Sequence, residues 1–167
     1  ERMSFEQVDI KLHELQLDIL KEQMGKLIGT GGKTIQNIQQ QNPKCKIQTP
    51  PKEDQSSKIQ AAKDEYKFVP VILSGKDQDV FKMAKMVDEV VDVCLAVLVV
   101  TVSSKALQRI KDIQGIQRGI QDELPGLDTV SFESRWKPPR LIFEGYLEDV
   151  MKGYDKFLTD ADRYAQN

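Results

Sequence analysis

The sequence predicts an α+β protein made of two consecutive units, each with the element order β-α-α-β-β-α. Three observations support this fold class. Short apolar runs with strand character alternate with amphipathic segments of helical length. A strand–glycine–helix junction occurs twice, and a glycine cluster separates two short helical segments near the start. A chain of 167 residues can hold two small domains, which we predict at residues 1–93 and 94–167.

The first unit opens with one strand candidate and two helix candidates. Residues 5–12 alternate loosely and are predicted to be a strand, whereas residues 14–27 place their leucines nearer to helical spacing. The glycines at 29–32 end this helix, and a second helix is predicted from Lys33 to about Gln41. Because proline disfavours helix in the residue before it, Asn42-Pro43 is expected to end the second helix.

Two strands and one helix complete the first unit. The strands are predicted at 45–49 and 68–73. The polar stretch between them, residues 50–67, has little β-branched character and is expected to be a long exposed loop. Residues 77–93 place valines on one face and predict a strong amphipathic helix.

The second unit repeats this order of elements. Gly115 or Gly119 is expected to break its helical region. The predicted elements are a strand at 95–102, a helical region at 105–124, strands at 129–132 and 140–143, and a closing helix at 149–164.

Direct comparison of two segments supports an internal repeat. The segment 71–80 is similar to the segment 141–150, and Gly75, Asp79 and Val80 each recur 70 positions later. Both segments join a predicted strand to a predicted helix through a glycine. The sequence therefore indicates that the two units share one supersecondary plan.

Charge is distributed unevenly along the chain. The formal net charge is -2, so the whole chain is not a polycation. Residues 21–52, however, contain six lysines against one acidic residue, a net charge of +5, which leaves -7 for the remainder. A role in binding nucleic acid would therefore depend on this local basic region.

The glycine cluster Gly29-Thr30-Gly31-Gly32 is the sharpest signal in the sequence. Glycines let the backbone adopt positive φ and approach a ligand closely. The helix that follows presents unpaired amides and a partial positive charge at its N-terminus, which suits a phosphate. Lys26 and Lys33 bracket the cluster and add positive charge.

Two other phosphate-binding loops are disfavoured by single residues. A P-loop would need glycine at position 27, which is Leu27, and the preceding segment looks helical rather than extended. A dinucleotide-binding loop beginning at Gly29 would need glycine at position 34, which is Thr34. An ordinary turn between two helices remains the alternative without a function.

The segment from Leu27 to Ile35, followed by Cys45-Lys46-Ile47-Gln48, resembles the signature of a type I K-homology (KH) domain. The resemblance covers about residues 5–93. It implies a three-stranded antiparallel sheet packed on three helices, with residues 50–67 as the variable loop. Multi-KH proteins of the vigilin or Bicaudal-C kind are the relatives it suggests, and the sequence does not choose between them.

The resemblance implies a binding site for single-stranded RNA, with single-stranded DNA as an alternative. The glycine loop would clamp the backbone of about four nucleotides. Apolar residues on both sides of a groove would hold the bases, and lysines would contact phosphates or base edges. The predicted set is Lys26, Leu27, Ile28, Gly29, Thr30, Gly31, Gly32, Lys33, Ile35, Lys46 and Ile47.

The second unit departs from this signature. The comparable stretch 110–120 contains two glycines but no G-x-x-G motif, and residues 96–167 hold ten basic against eleven acidic residues. We therefore predict a degenerate KH-like repeat with a structural or protein-binding role. Within it, the segment 136–140 (Trp-Lys-Pro-Pro-Arg) is interpreted as a turn between strands, with a stacking tryptophan or a proline-rich ligand as alternatives.

No pattern in the sequence predicts catalysis. His13 is the one histidine and has no partner motif, and neither Cys45 nor Cys94 has metal-ligand spacing. We expect no enzyme activity, no metal and no cofactor. Two isolated cysteines favour a reducing compartment, so we expect a cytoplasmic location, with the nucleus as the alternative. No membrane span is expected, because the most apolar run, 90–102, is short and contains Asp92.

The leading hypothesis is a module for single-stranded RNA involved in post-transcriptional regulation. The alternative from another class is a protein-interaction scaffold in which both KH folds serve assembly and a partner binds residues 94–167.

Overall fold

A computed structural model describes residues 9–50 and 68–163 of the chain. These residues form a mixed arrangement of helices and antiparallel strands, which confirms the predicted α+β class. They divide into two compact units. One is Glu14–Ala96, and the other joins the described parts of Glu1–His13 and Val97–Asn167. The predicted boundary after residue 93 stays a prediction.

The first unit, Glu14–Ala96, contains three antiparallel strands in the order β2-β3-β1. Leu17 lies opposite Val71 in β1 and β3, and Ile47 lies opposite Leu73 in β2 and β3. Its elements are residues 14–20 of β1 (Ile10–Leu20), α1 (Met24–Ile28), α2 (Lys33–Gln41), β2 (Lys46–Gln48), β3 (Phe68–Ser74) and α3 (Asp77–Val90).

The core of the first unit follows from the alternation along β1 and β3. From residue 15 onward every second residue of β1 is buried, and so is every second residue of β3. Because cross-strand partners share a face of the sheet, these residues form one apolar surface. Helix α3 covers it with Val80, Met83, Ala84 and Val87, all fully buried.

The predicted helix over residues 14–27 is wrong in its first half. Residues 14–20 belong to β1, and helix α1 begins only at Met24. Leu15, Leu17 and Ile19 are all buried at alternate positions, which is the period of a strand rather than of a helix. Of the predicted strand at 5–12, residues 5–8 lie outside the described residues, as do residues 51–67 of the predicted loop.

The second unit has the same order of elements and the strand order β4-β6-β5. Its core contains Phe143, Tyr154 and Phe157, and both other rings meet Phe143 edge-on at centroid distances of 6.4 Å. Its elements are β4 (Val93–Val102), α4 (Ser104–Arg109), α5 (Ile113–Glu123), β5 (Leu127–Glu133), β6 (Arg140–Gly145) and α6 (Leu147–Arg163).

The break in the second unit's helical region lies at residues 110–112, not near Gly115 or Gly119 as predicted. Both glycines lie inside α5. Asp112 adopts a left-handed conformation, with φ 55° and ψ 61°, and its carboxylate accepts a hydrogen bond from the Gly115 amide at 3.1 Å. A side chain that caps a helix can start a new helix without a glycine, which the sequence prediction did not consider.

The repeated junction has the same local geometry in both units. Val80 N donates to Lys76 O and Val150 N donates to Tyr146 O, each at 2.9 Å. Gly75 and Gly145 have φ values of 143° and 158°. A Cβ on either glycine would lie within 3 Å of atoms at the start of the neighbouring strand. The resemblance between the two segments therefore reflects one shared strand-to-helix turn.

Candidate functional site

The glycine loop, Gly29–Gly32, joins α1 to α2 through three left-handed or otherwise positive-φ residues. Gly29, Gly31 and Gly32 have φ values of 77°, 62° and 78°. Within the loop, Gly29 N donates to Gly25 O at 2.9 Å and Gly32 N donates to Gly29 O at 3.1 Å. L-residues disfavour this conformation, so three glycines in four positions are what this backbone path requires.

The glycines differ in the space around them. A Cβ on Gly29 would collide with the Thr34 side chain and lie 2.8 Å from the Thr34 backbone nitrogen. A Cβ on Gly31 would meet no atom within 4 Å, and Thr30 and Gly31 are both exposed. Gly29 is therefore needed for packing inside the loop, whereas Thr30 and Gly31 form an open surface that another molecule can approach.

The N-terminus of α2 carries no cap of its own. Gly32 is its N-cap residue and supplies no side-chain cap, whereas the Lys33 amide donates to Thr30 O of the preceding turn. The first amides of a helix have no partner inside the helix and carry a partial positive charge. The loop thus presents an uncapped helix end beside an exposed glycine, an arrangement that suits an anion.

Three of the predicted lysines add charge to this region. Lys26, Lys33 and Lys46 are exposed, and in the described ranges none of their ammonium groups is in an ion pair. Lys26 lies in α1 and Lys33 is the first residue of α2, on the two sides of the loop. Lys46 lies on β2, on the opposite face of the sheet from Ile47. These lysines can therefore reach an anion without first breaking an ion pair.

The predicted apolar groove residues separate into two groups. Ile28, Ile35 and Ile47 are each half-buried, so part of each side chain remains available. Leu27 is fully buried, with 0% of its surface exposed. Leu27 thus lies in the core beneath α1, and the three isoleucines are the residues that a ligand can touch.

Gln39 connects α2 to β2, and sequence reasoning missed it. Its Nε2 donates to Cys45 O at 2.6 Å and to Asn42 O at 3.1 Å, while its Oε1 accepts from Ile47 N at 3.2 Å. Ile35 lies one helical turn before Gln39. The side chain of Gln39 therefore fixes Ile47 relative to the face of α2 that carries Ile35. Its place in the run Gln39-Gln40-Gln41 hid it among solvated glutamines.

Asn42 and Cys45 shape the connection that follows α2. Asn42 is buried, and its amide donates to Ile38 O at 2.8 Å, which closes the helix. Burial, with the negative charge of Asp79 as the second cause, raises the pKa of the Cys45 thiol. Burial also raises the pKa of the Cys94 thiol, with Asp92 next. Neither thiol is activated as a nucleophile at neutral pH.

Metal binding and membrane insertion find no support in the described residues. Among them, no cluster of three or more His, Cys, Asp or Glu side chains could hold a metal ion. Within residues 9–50 and 68–163, no helix combines the length and the apolar character needed to cross a membrane.

Comparisons with known proteins match part of the chain to one family model. Residues 14–89 match the family model of the KH domain. Among solved structures, the chain is similar to the crystal structure of the a/eIF2alpha–aDim2p–rRNA complex from Pyrococcus horikoshii OT3, with 16% identity and a TM-score of 0.30, over 90% of this chain and 86% of that one. It is similar to E. coli aspartokinase III in complex with aspartate and ADP, with 10% identity and a TM-score of 0.31, over 90% of this chain and 32% of that one. At these TM-scores neither structure informs the function, and no curated protein matches the sequence.

Proposed function

Because residues 14–89 match the family model of the KH domain, we propose that this protein binds single-stranded RNA through the loop Gly29–Gly32. The observation that carries the proposal is the open, uncapped turn. Thr30 and Gly31 are exposed, and a Cβ on Gly31 would meet nothing within 4 Å. A phosphate of the RNA backbone can therefore approach this turn closely, and the α2 amides that follow Lys33 would meet it, since the Lys33 N–H itself donates to Thr30 O.

The bases would lie along the three half-buried isoleucines. Ile28 ends α1, Ile35 lies on the first turn of α2, and Ile47 lies on β2, where Gln39 holds it to the helix. Partly exposed apolar side chains offer a flat surface to an unstacked base. Hydrogen bonds to the polar edge of that base would then determine which nucleotide is preferred. KH domains bind single-stranded rather than duplex RNA, and single-stranded DNA has the same backbone charge and base faces.

Electrostatic attraction would supply much of the affinity. Lys26 and Lys33 flank the loop, and Lys46 lies on the edge strand β2. Each ammonium group that meets a phosphate releases counterions, so binding should weaken as the salt concentration rises. The chain needs no net positive charge for this, because the attraction acts over about one Debye length.

The second unit is proposed to be a degenerate KH-like repeat, as in proteins of the vigilin or Bicaudal-C kind. Its element order and its Gly145 junction match those of the first unit, but its turn lacks the glycines. In this proposal the protein is a cytoplasmic, non-enzymatic regulator of RNA. A protein partner on residues 94–167 is the competing role for the second unit.

A direct test compares RNA binding by the wild type and by Thr30→Asp/Gly31→Asp. Fluorescence anisotropy against a pool of short labelled single-stranded RNAs measures the affinity. We expect the variant to bind about a hundredfold more weakly, since two carboxylates would stand where a phosphate approaches and about 3 kcal/mol would be lost. Aspartate tolerates the left-handed conformation of Gly31 better than most residues, so the fold should survive.

The control is Asn37→Asp/Gln78→Glu, which changes the net charge equally with little change in shape at two exposed helical positions. It should bind RNA nearly as the wild type does, and circular dichroism should show that all three proteins are folded. If the folded wild type bound no RNA, or if the loop variant and the control lost equal affinity, the loop would not be the binding site. If the wild type did not bind RNA, the alternative of a protein-interaction scaffold would be favoured.

A further inference from the structure

The hairpin between β5 and β6 in the second unit displays the one tryptophan of the chain. Trp136 is 40% exposed and lies in the connection 134–139. Large aromatic side chains are usually buried, and an exposed one in a polar setting is a common feature of binding surfaces. The chain turns between β5 and β6, as the sequence predicts. A turn, however, does not require a tryptophan.

The ring is held in a fixed orientation by charged neighbours. The Arg140 guanidinium lies 4.0 Å from the ring centroid, and the Arg135 guanidinium lies 5.8 Å from it. The indole N–H donates to Glu133 Oε1 at 2.9 Å. The edge of the indole is thus anchored while its faces meet planar cations or solvent, so little rotamer entropy would be lost when a planar ligand stacks on it.

The hairpin is basic within a unit that is not. Residues 133–140 contain Arg135, Lys137 and Arg140 against Glu133, a local charge of +2. Arg135 contacts Glu133 at 3.5 Å, but 77% of its side chain is exposed. An exposed pair of this kind contributes little stability, so the guanidinium can exchange the carboxylate for a phosphate at low cost.

We propose that this hairpin is a second contact for single-stranded RNA, in which a base stacks on Trp136 and Arg135 and Lys137 meet the flanking phosphates. The proposal rests on the function proposed for the first unit and adds a subsite to it. Aromatic stacking with interleaved cations is the chemistry by which proteins hold single strands without a glycine loop. Arg135 and Lys137 directly flank Trp136, so cations stand on both sides of the ring in the sequence, which favours a ligand with phosphates.

The same residues can also be explained by hairpin stability alone. The stack of Arg140 on Trp136 and the indole hydrogen bond would then simply fix the turn between β5 and β6. The two explanations differ in what RNA does to the ring. Trp136 is the only tryptophan among four tyrosines, so the fluorescence excited at a wavelength that tyrosine barely absorbs reports on this hairpin.

The experiment titrates the full chain with single-stranded RNA of about 12 nucleotides and follows both anisotropy of labelled RNA and quenching of Trp136. We expect quenching to accompany binding. We expect Trp136→Ala to bind about tenfold more weakly, and Trp136→Phe, which keeps a stacking face, to lose much less. Tyr146→Ala is the matched control, because it removes a 66% exposed aromatic residue of the same unit outside the hairpin.

Three results would overturn the hairpin proposal. RNA could bind without quenching Trp136, Trp136→Ala could bind as tightly as Tyr146→Ala, or inorganic polyphosphate, which has no bases, could quench as strongly as RNA. Trp136→Ala is expected to fold because the ring is half exposed, and circular dichroism checks this.

The loop variant Thr30→Asp/Gly31→Asp separates the two proposals. If it still shows quenching, at higher RNA concentrations, the hairpin binds RNA through its own contacts. If it binds and quenches as the wild type does, the loop proposal fails while the hairpin proposal stands. If the loop variant loses affinity but RNA quenches Trp136 in none of the proteins that contain it, the hairpin proposal fails and the loop proposal stands.

Discussion

The turn between the first two helices differs between the two units. In the first unit it is built from glycines, and in the second an aspartate caps the helix that follows. The turns can be aligned from a matched hydrogen bond after each second helix, Cys45 N to Asn42 O and Leu127 N to Leu124 O, both at 3.0 Å. This offset of 82 residues places Gly29–Gly32 opposite Lys111–Gln114. Helix α5 begins at Ile113, so it already includes the positions matched to Gly31 and Gly32.

The ends of these helices differ in what neutralises them. In the first unit, among the described residues, α2 has no side-chain cap. In the second, the Asp112 carboxylate accepts from the Gly115 amide. A carboxylate at a helix N-terminus occupies the place where a phosphate would bind. The second unit thus supplies from its own chain an anion at the position where we propose that the first unit binds a phosphate.

The other proposed contacts change together with the turn. At the same offset, Lys33 is matched by Gly115, Lys46 by Asp128 and Ile35 by Gln117. Gln117 donates to Val130 O and so ties α5 to β5 where an apolar groove wall would lie.

The glutamine that links the second helix to the chain at the following strand, in contrast, is present in both units. Gln39 is matched by Gln121, which donates to Asp128 O at 3.0 Å, one position beyond the match of Cys45, whose carbonyl accepts from Gln39 at 2.6 Å. Gln39 thus has a counterpart in the second unit, whereas Lys33, Lys46 and Ile35 do not. This contrast is what separates a binding role from a packing role for the glycine loop.

The largest effect is expected for Gly29→Ala. The new Cβ would meet the Thr34 side chain and backbone at a φ of 77°, so we expect the free energy of unfolding to fall by about 3 kcal/mol. Gly31→Ala, with open space and a φ of 62°, should cost about 1 kcal/mol. Urea denaturation followed by circular dichroism measures both. Equal losses would mean that Gly29 has no special packing role in the loop.

A smaller effect is expected for Asp112→Ala in the second unit. It removes the cap on α5 and puts a residue without a polar side chain at a φ of 55°, so we expect a loss of about 2 kcal/mol. Asp112→Asn keeps an acceptor and tolerates this conformation, and should cost less than half as much. Urea denaturation followed by Trp136 fluorescence reports on this unit, and equal stability of the two variants would contradict the capping argument.

Much of the first unit could be predicted from the sequence, because its signals are local. The glycine cluster, Asn42-Pro43 and the valines of α3 each determine backbone conformation or burial within a few residues. Helix α2 was predicted at the bounds that the structure gives. The strand at 14–20 was missed because Leu17, Leu20 and Met24 fit a helical spacing as well as Leu15, Leu17 and Ile19 fit a strand.

The parts that the sequence did not reveal depend on contacts between distant residues. Gln39 matters because β2 brings the Ile47 amide to it, and nothing in a run of three glutamines indicates which one does so. Leu27 and Ile28 are adjacent and equally apolar, yet only the packing of α1 decides that Leu27 is buried. The helical region breaks at Asp112, which caps the next helix, and not at a glycine. Only the backbone conformation of Asp112 shows this.

The smallest effect is expected for the loss of one charge at Lys33, which is matched by Gly115 in the second unit. If the Lys33 ammonium group meets a phosphate, Lys33→Gln should make the slope of log affinity against log salt shallower by about 0.7, the value for one contact on a single strand. The fold should be unaffected, because Lys33 is exposed. Anisotropy titrations at several salt concentrations give the slope. Lys82→Gln, an exposed lysine on α3, is the control for loss of one charge anywhere on the first unit. A slope that changes equally in both variants would mean that Lys33 acts only through net charge, and the contact would then have to be assigned to Lys26 or Lys46.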